Sequence, residues 1–254
     1  MQLLEYKLGK GVSAFSTYRG AVGESAYSSF NITHYCGDDP EHVEACRREL
    51  CETLNIADRH LLLPRQTHTD NVLVIDEKFF EVFPQLHPQL LDNQDALVTR
   101  VKGVCIRVTT ADSVPVLMAD AEAGIIAAVH AGWRGMVQRI AAKALRKMTA
   151  LGADPLRVKV AVGPSIALES FEVGEEVVDA FLDAGFHPCI LSRQYAKPHI
   201  DLWAALTMQL EEVGVPLRNL QFAGIDTYEH PDMFFSARRL GVLSGRVFSG
   251  ILLR

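Results

Sequence analysis

The stretch that most restricts the fold runs from Gly124 to Met148. Gly124-Ile125-Ile126-Ala127-Ala128-Val129 is a compact apolar run, the pattern of a strand covered on both faces. It ends at His130-Ala131-Gly132-Trp133-Arg134-Gly135. Met136, Val137, Ile140, Ala144, Leu145 and Met148 then recur at helical spacing until Gly152 stops them. A buried strand that hands directly to an amphipathic helix points to a sheet with helices packed on it.

The rest of the chain mixes the same two periods without strict alternation. Val72–Ile75, Ala96–Thr99, Val104–Thr109, Val116–Met118, Val158–Val162, Leu220–Ile225 and Val242–Ile251 read as strands, with Pro115 marking a break or an edge. Asp39-Pro40 opens a helix with Val43, Cys46, Leu50 and Leu54 on one face. Two more helices lie near Val173–Ala184 and Leu202–Val213. No repeat, Ser/Gly linker or charge block divides the chain, so residues 1–254 read as one domain of mixed-sheet α/β or α+β class.

Composition removes several function classes. With 48% hydrophobic and 22% charged residues the chain is neither disordered nor a coiled coil, and it is long enough to build a core without disulfides. The 25 Lys+Arg against 31 Asp+Glu, with no basic run, argue against nucleic acid as the main partner. Five scattered cysteines without C-x-x-C spacing read as reduced thiols of a cytoplasmic protein. No window is long and apolar enough for a membrane span, and no secretory leader pattern is present. Small-molecule partners and a monomer or small homo-oligomer are the expectation.

Phosphate-loop, dinucleotide, H-E-x-x-H and G-x-S-x-G signatures are missing. Polar groups concentrate instead at three apolar strand ends: Arg65–Asp70, Thr109–Pro115 and His130–Gly135. His68 and His130 suit either metal ligation or general acid–base work near neutral pH. Ser113 suits a nucleophile, a hydroxyl donor or a weak metal neighbour, and Asp112 either caps its turn or joins the site. The turn at Gly132–Gly135 opens a helix, where free N–H groups and Arg134 suit an anion, phosphate among them.

The same segments carry a family resemblance over nearly the whole chain. Phe15-Ser16-Thr17-Tyr18-Arg19-Gly20, Tyr27–Asn31, Gly37–Pro40, Gln66-Thr67-His68, Asp95–Thr99, Thr110–Leu117, Val129–Gly135, Gly163–Ile166, Phe171–Gly174 and Phe234–Arg239 resemble the laccase-domain proteins. These are also labelled multicopper polyphenol oxidases or peptidoglycan editing factors, and are understood as purine nucleoside phosphorylases with adenosine deaminase side activity. The resemblance implies a single-domain α/β/α sandwich of mixed sheet, of the type shared with cytotoxic necrotising factor. It also implies a zinc held by two histidines, matching His68 and His130, and one cysteine, matching Ser113. A serine hydroxyl stays protonated near neutral pH and is a poor zinc ligand, so zinc is expected to be weakened or absent. Cys105 is a candidate replacement from mid-strand. Three accounts of Ser113 stand open: an engineered exchange, a natural variant with altered activity, or a non-catalytic relative. By resemblance the reaction is phosphorolysis of adenosine, inosine, guanosine or 5′-methylthioadenosine, with deamination of adenosine beside it. His68, Asp112, Ser113 and His130 are then the catalytic candidates, and Arg19, Ser29, Asn31 and Arg134 the candidates to hold nucleoside or phosphate. The rivals are a binding or precursor-editing protein without turnover, a copper-dependent phenol oxidase, and a hydrolase with Ser113 as nucleophile.

Overall fold

In the computed structural model, which describes residues 1–254, the strands form two large sheets that face each other. One is five-stranded, in the order β1 (Leu3–Tyr6), β2 (Val12–Thr17), β13 (Val247–Leu253), β6 (Cys105–Thr110) and β3 (Leu61–Leu62). The other is six-stranded, in the order β12 (Leu220–Phe222), β9 (Lys159–Val162), β7 (Val114–Asp120), β8 (Ile125–Ala131), β5 (Ala96–Thr99) and β4 (Val72–Ile75). Pairs β3–β6, β4–β5 and β9–β12 are parallel and the rest antiparallel, so both sheets are mixed. A short hairpin, β10 (Leu191–Ser192) with β11 (His199–Ile200), stands apart.

Period-2 alternation sorts the side chains into three layers of core. Ile106, Val108, Leu97, Leu117, Ala119, Ile126, Ala128 and Ile251 fill the seam between the sheets. Their neighbours in the chain on the six-stranded sheet, Ala96, Val98, Val116, Met118, Ala127 and Val129, face outward. There they pack on α3 (Trp133–Val137), α4 (Ile140–Ala150), α5 (Glu175–Asp183) and α6 (Leu202–Glu212). On the opposite side Phe15, Leu61, Cys105, Phe248 and Leu252 pack under Cys46, Leu50 and Leu54 of α1 (Pro40–Leu54). Each fully buried Leu, Ile or Phe in these layers contributes about 1.5–3 kcal/mol. The expected α/β/α sandwich is therefore present, with its β layer doubled.

Asp39 does cap α1, accepting from the Glu41 N–H, with Pro40 at the first helical position. The single helix expected after Gly135 is two, because Arg139 takes a left-handed conformation (φ 59°) between α3 and α4. Pro115 neither breaks a strand nor marks an edge. It is the second residue of the central β7, tolerated because the ladder to β9 starts only at Val116, while its carbonyl accepts from the Gly163 N–H. The last strand begins at Val247, and residues 242–245 remain a loop. Two further short helices are α2 (His87–Leu90) and α7 (Ala237–Leu240).

Candidate functional site

His130 continues the face of β8 that carries Ile126 and Ala128, and Thr110 the face of β6 that carries Ile106 and Val108. Both thus look into the seam at the end where the two sheets open. There Tyr35, Gln66, His68, Thr109, Thr110, Ala111, Ser113, His130, Ala237, Val242 and Arg246 line a cleft of about 280 Å³.

One carboxylate organises the histidines. Asp95, fully buried just before β5, accepts from the backbone N–H groups of Thr67 (3.2 Å), His68 (3.1 Å) and Thr69 (2.8 Å) and from the Thr69 hydroxyl (2.8 Å). It also meets His130 Nδ1 at 2.6 Å, while the His130 N–H donates to the Asp95 carbonyl. Burial alone pushes the carboxyl up, but the His130 contact and the Thr69 donors outweigh it and hold the group down at about 2. An ionised Asp95 only accepts, so His130 carries a proton on Nδ1 and its Nε2 is free for the cleft.

The same carboxylate wraps the 67–69 loop tightly enough that His68 sits at φ 64°, in the left-handed region a non-glycine residue rarely adopts. The two imidazole rings lie 5.0 Å apart, edge to face. His68 is exposed at the cleft mouth, yet its ring is partly desolvated against the wall. That desolvation first, and then the charge of His130, with Arg134 and Arg246 adding, hold it below the ordinary imidazole range. Gln66 ties this loop to the other sheet. Its side-chain amide donates to the Thr109 carbonyl and accepts from the Thr109 N–H, both at 2.7 Å, acting as a missing strand on the open edge of β6.

Ser113 completes the group. A Cβ placed on Gly132 would lie 3.3 Å from both His68 Cδ2 and Ser113 Oγ and 3.7 Å from His130 Cε1. The three side chains therefore converge on the bare face of that glycine. Asp112 stands next to them at φ 87° and accepts from the Thr227 hydroxyl (2.8 Å) and the Arg238 N–H (2.7 Å), pinning the turn that presents Ser113.

Asp112, behind Ser113, does not itself line the cleft, and neither do the four residues singled out in the sequence for binding. Arg19 is buried, donating to Ser28 Oγ and to the Pro231 carbonyl with its guanidinium over the Phe235 ring. Asn31 is buried and bonded to Asp38 and to the Arg246 N–H. Ser29 accepts from the Ala21 N–H. Arg134 is exposed and folds over its own neighbour, Trp133, in a helix of one turn. Conversely Asp95, Tyr35 and Arg246 carry more of the site than sequence reasoning assigned them. The only local hint was an acid abutting a buried strand at Gln94-Asp95-Ala96 and a lone cation ahead of one at Arg246-Val247.

The expectation of zinc, and of a metal-binding site at His68, Ser113 and His130, is overturned. No three His, Cys, Asp or Glu side chains are grouped to hold a metal ion. The donors here are two imidazoles and a hydroxyl, and Asp95 is already engaged by five donors. Cys105 offers no replacement: it lies on the outer face of β6 beneath α1, with its thiol pushed up by burial to about 12.

Residues 12–254 match the family model described as multi-copper polyphenol oxidoreductase laccase. The chain is 44% identical over 247 residues to a purine nucleoside phosphorylase of Bacteroides thetaiotaomicron, covering 95% of this chain and 92% of that protein. It is 47% identical over 247 residues to adenosine deaminase RL5 of an unknown prokaryotic organism, covering 95% and 94%. Among solved structures, YlmD from Geobacillus stearothermophilus superposes with a TM-score of 0.85 at 26% identity, over 96% of this chain and 93% of that one. No helix is long and apolar enough to cross a membrane.

Proposed function

The chain belongs to the multi-copper polyphenol oxidoreductase laccase family, and from that membership and the histidine cleft together we propose that it is a purine nucleoside phosphorylase that also deaminates adenosine. Relatives named for these two activities, at 44% and 47% identity over nearly the full chain, support the general enzyme class. The observation that carries the mechanism is the 2.6 Å contact of Asp95 with His130, beside His68. Two imidazoles and a hydroxyl do not fit a copper centre, which draws on several histidines with a cysteine, so no oxidative step is assigned to them.

In phosphorolysis, hydrogen phosphate attacks C1′ of the ribose, the C1′–N9 bond breaks, and the proton of the phosphate ends on the departing purine. His130 is assigned to this transfer. With its Nδ1 proton held by Asp95, it takes the phosphate proton on Nε2 as the phosphate attacks and passes it to the leaving base. The unbonded hydroxyl of Ser113 donates to charge as it develops, and Arg246 on the cleft wall, with Arg134, whose charge reaches His68 from outside the cleft, offsets the phosphate charge. Asp112 acts by positioning Ser113. In deamination, His68, neutral at pH 7, accepts a proton from the water that attacks C6 and hands it to the C6 amino group, which leaves as ammonia as the C6–N bond breaks. Arg19, Ser29 and Asn31 are assigned to shaping the loop that carries Tyr35.

The test is chromatographic turnover of adenosine and inosine with and without phosphate. Phosphate-dependent release of adenine and hypoxanthine is the expected result. Binding of nucleoside without turnover under both conditions overturns the reading in favour of a binding protein.

A further inference from the structure

Arg107 has no exposed surface, and its Nε, Nη1 and Nη2 have no hydrogen-bond partner in the protein. Buried charges are ordinarily paired, because an unpaired one forfeits its hydration without return. Burial pushes this guanidinium down to about 9, so it is still charged at neutral pH. No carboxylate acts on it; Tyr35, Arg47 and Cys105 do, and its own charge reaches His34. The ring of Phe248, 5.0 Å from the guanidinium carbon, gives it only a cation–π contact.

Its place in the sheet shows where a partner would enter. Along β6, Arg107 shares the outer face with Thr109, two residues on. The Thr109 hydroxyl meets the Tyr35 hydroxyl at 3.0 Å on the wall of the histidine cleft. That contact is the one side-chain hydrogen bond of Tyr35, which is 46% exposed. Thr33, in the same loop, has a buried hydroxyl without a partner. A desolvated cation and a lightly held aromatic side chain thus lie along one wall, with the unpaired hydroxyl of Thr33 two residues before Tyr35 in the chain.

We propose that Arg107 anchors an oxyanion site beneath Tyr35, in the wall of the histidine cleft, and that this site takes inorganic phosphate. Its role as the co-substrate site rests on the phosphorolysis reading above. A planar guanidinium with all its N–H groups free suits a tetrahedral oxyanion, which two parallel donors can grip. Tyr35 swings off Thr109 to admit the anion and closes over it.

The test compares the parent with Arg107→Met and Arg107→Lys, using inorganic phosphate as probe, ribose 1-phosphate in parallel, and chloride as the ionic-strength control. Replacing an unpaired buried charge by an apolar side chain of similar length leaves the fold intact and raises Tm in phosphate-free buffer. Phosphate at ten times its Kd should raise the Tm of the parent by about 3–6 °C, that of Arg107→Lys by less, and that of Arg107→Met not at all. In turnover, the KM for phosphate should rise roughly 10–100-fold in Arg107→Met, while the KM for the nucleoside moves less than twofold. Equal phosphate protection in parent and Arg107→Met, or none in the parent, overturns the site. Protection by ribose 1-phosphate but not by phosphate overturns the assignment of the free anion. Arg107-dependent protection without phosphate-dependent base release keeps the site and overturns the phosphorolysis reading instead.

Discussion

Asp95→Asn isolates what the carboxylate does for the two histidines. The carboxylate takes five donors, two on Oδ1 (the His68 N–H and His130 Nδ1) and three on Oδ2 (the Thr67 N–H, the Thr69 N–H and the Thr69 hydroxyl). An amide offers one acceptor and one NH₂. Placed at the Oδ2 position, the NH₂ faces two backbone N–H groups that cannot turn away. Placed at the Oδ1 position it faces only one, because His130 can shift its proton to Nε2 and accept through Nδ1. The second arrangement is preferred. It leaves one buried donor against another, about 1–3 kcal/mol, and turns charge-assisted hydrogen bonds into neutral ones, for a total loss on the order of 3 kcal/mol. That is a sizeable share of the roughly 5–15 kcal/mol of a folded domain, so the variant folds but at a lower urea midpoint. It also reverses the tautomer of His130, and kcat for base release should fall about 10²–10⁴-fold. Urea unfolding gives the stability, the chromatographic assay gives the rate, and nitrogen NMR of the histidine rings gives the tautomer. A folded variant with kcat within threefold of the parent, or with the His130 proton still on Nδ1, refutes the assignment.

Asp95 titrates at about 2 in the fold against 3.8 ordinarily, so its contribution is complete above pH 4 and fades as pH falls toward 2. The stability difference between parent and Asp95→Asn, followed by urea unfolding, should shrink across that window and not above it. His68 is held low, so the acid limb of the deamination profile should fall at a lower pH than an ordinary histidine gives. Arg246→Gln removes a cation that adds to this effect and should move that limb upward; an unmoved limb removes His68 as the base. Gly132→Ala puts a methyl 3.3 Å from His68 Cδ2 and Ser113 Oγ, and should lower kcat about tenfold by spreading them, with the melting temperature little changed. Gly250→Ala sets a Cβ 2.6 Å from Phe248 Cε1 and 3.0 Å from Phe15 Cζ, an overpacking worth about 1–3 kcal/mol of lost stability in urea unfolding.

The strand into His130 and the helical spacing after Gly135 were legible because both are local periodicities, and so was the polar turn at Ser113. His68 was visible as a histidine at a strand end, although nothing local shows the left-handed backbone that aims it. The role of Asp95 was not legible. Its partners lie 26 to 35 residues away, and only the pairing of β5 with β8 brings His130 to it. Arg19 and Asn31 carry the side chains of binding residues, and burial against Pro231, Phe235 and Asp38 engages both in structural hydrogen bonds. Leu3-Leu4-Glu5-Tyr6 is too short and mixed to announce an edge strand, and β1 exists because β2 offers it a ladder. Pro115 misled because its meaning depends on where a neighbouring strand stops.

The seam that ends in the cleft also divides responsibility for the chemistry. His130 and Asp95 belong to the six-stranded sheet or its margin, and Asp95 holds the His68 loop there as well. Thr109 and Thr110 on β6, Tyr35 above them and Arg246 just before β13 belong to the five-stranded side. On the proposed mechanism, the half that handles protons and the half that meets the rest of the substrate therefore descend from separate hydrogen-bonded frameworks, joined near the mouth by Gln66. Such a molecule is modular within one domain. Exchanges along β6, the Tyr35 loop and the segment before β13 can change which molecule is accepted and leave the acid–base pair standing, and a library confined to that wall is where altered specificity should be sought.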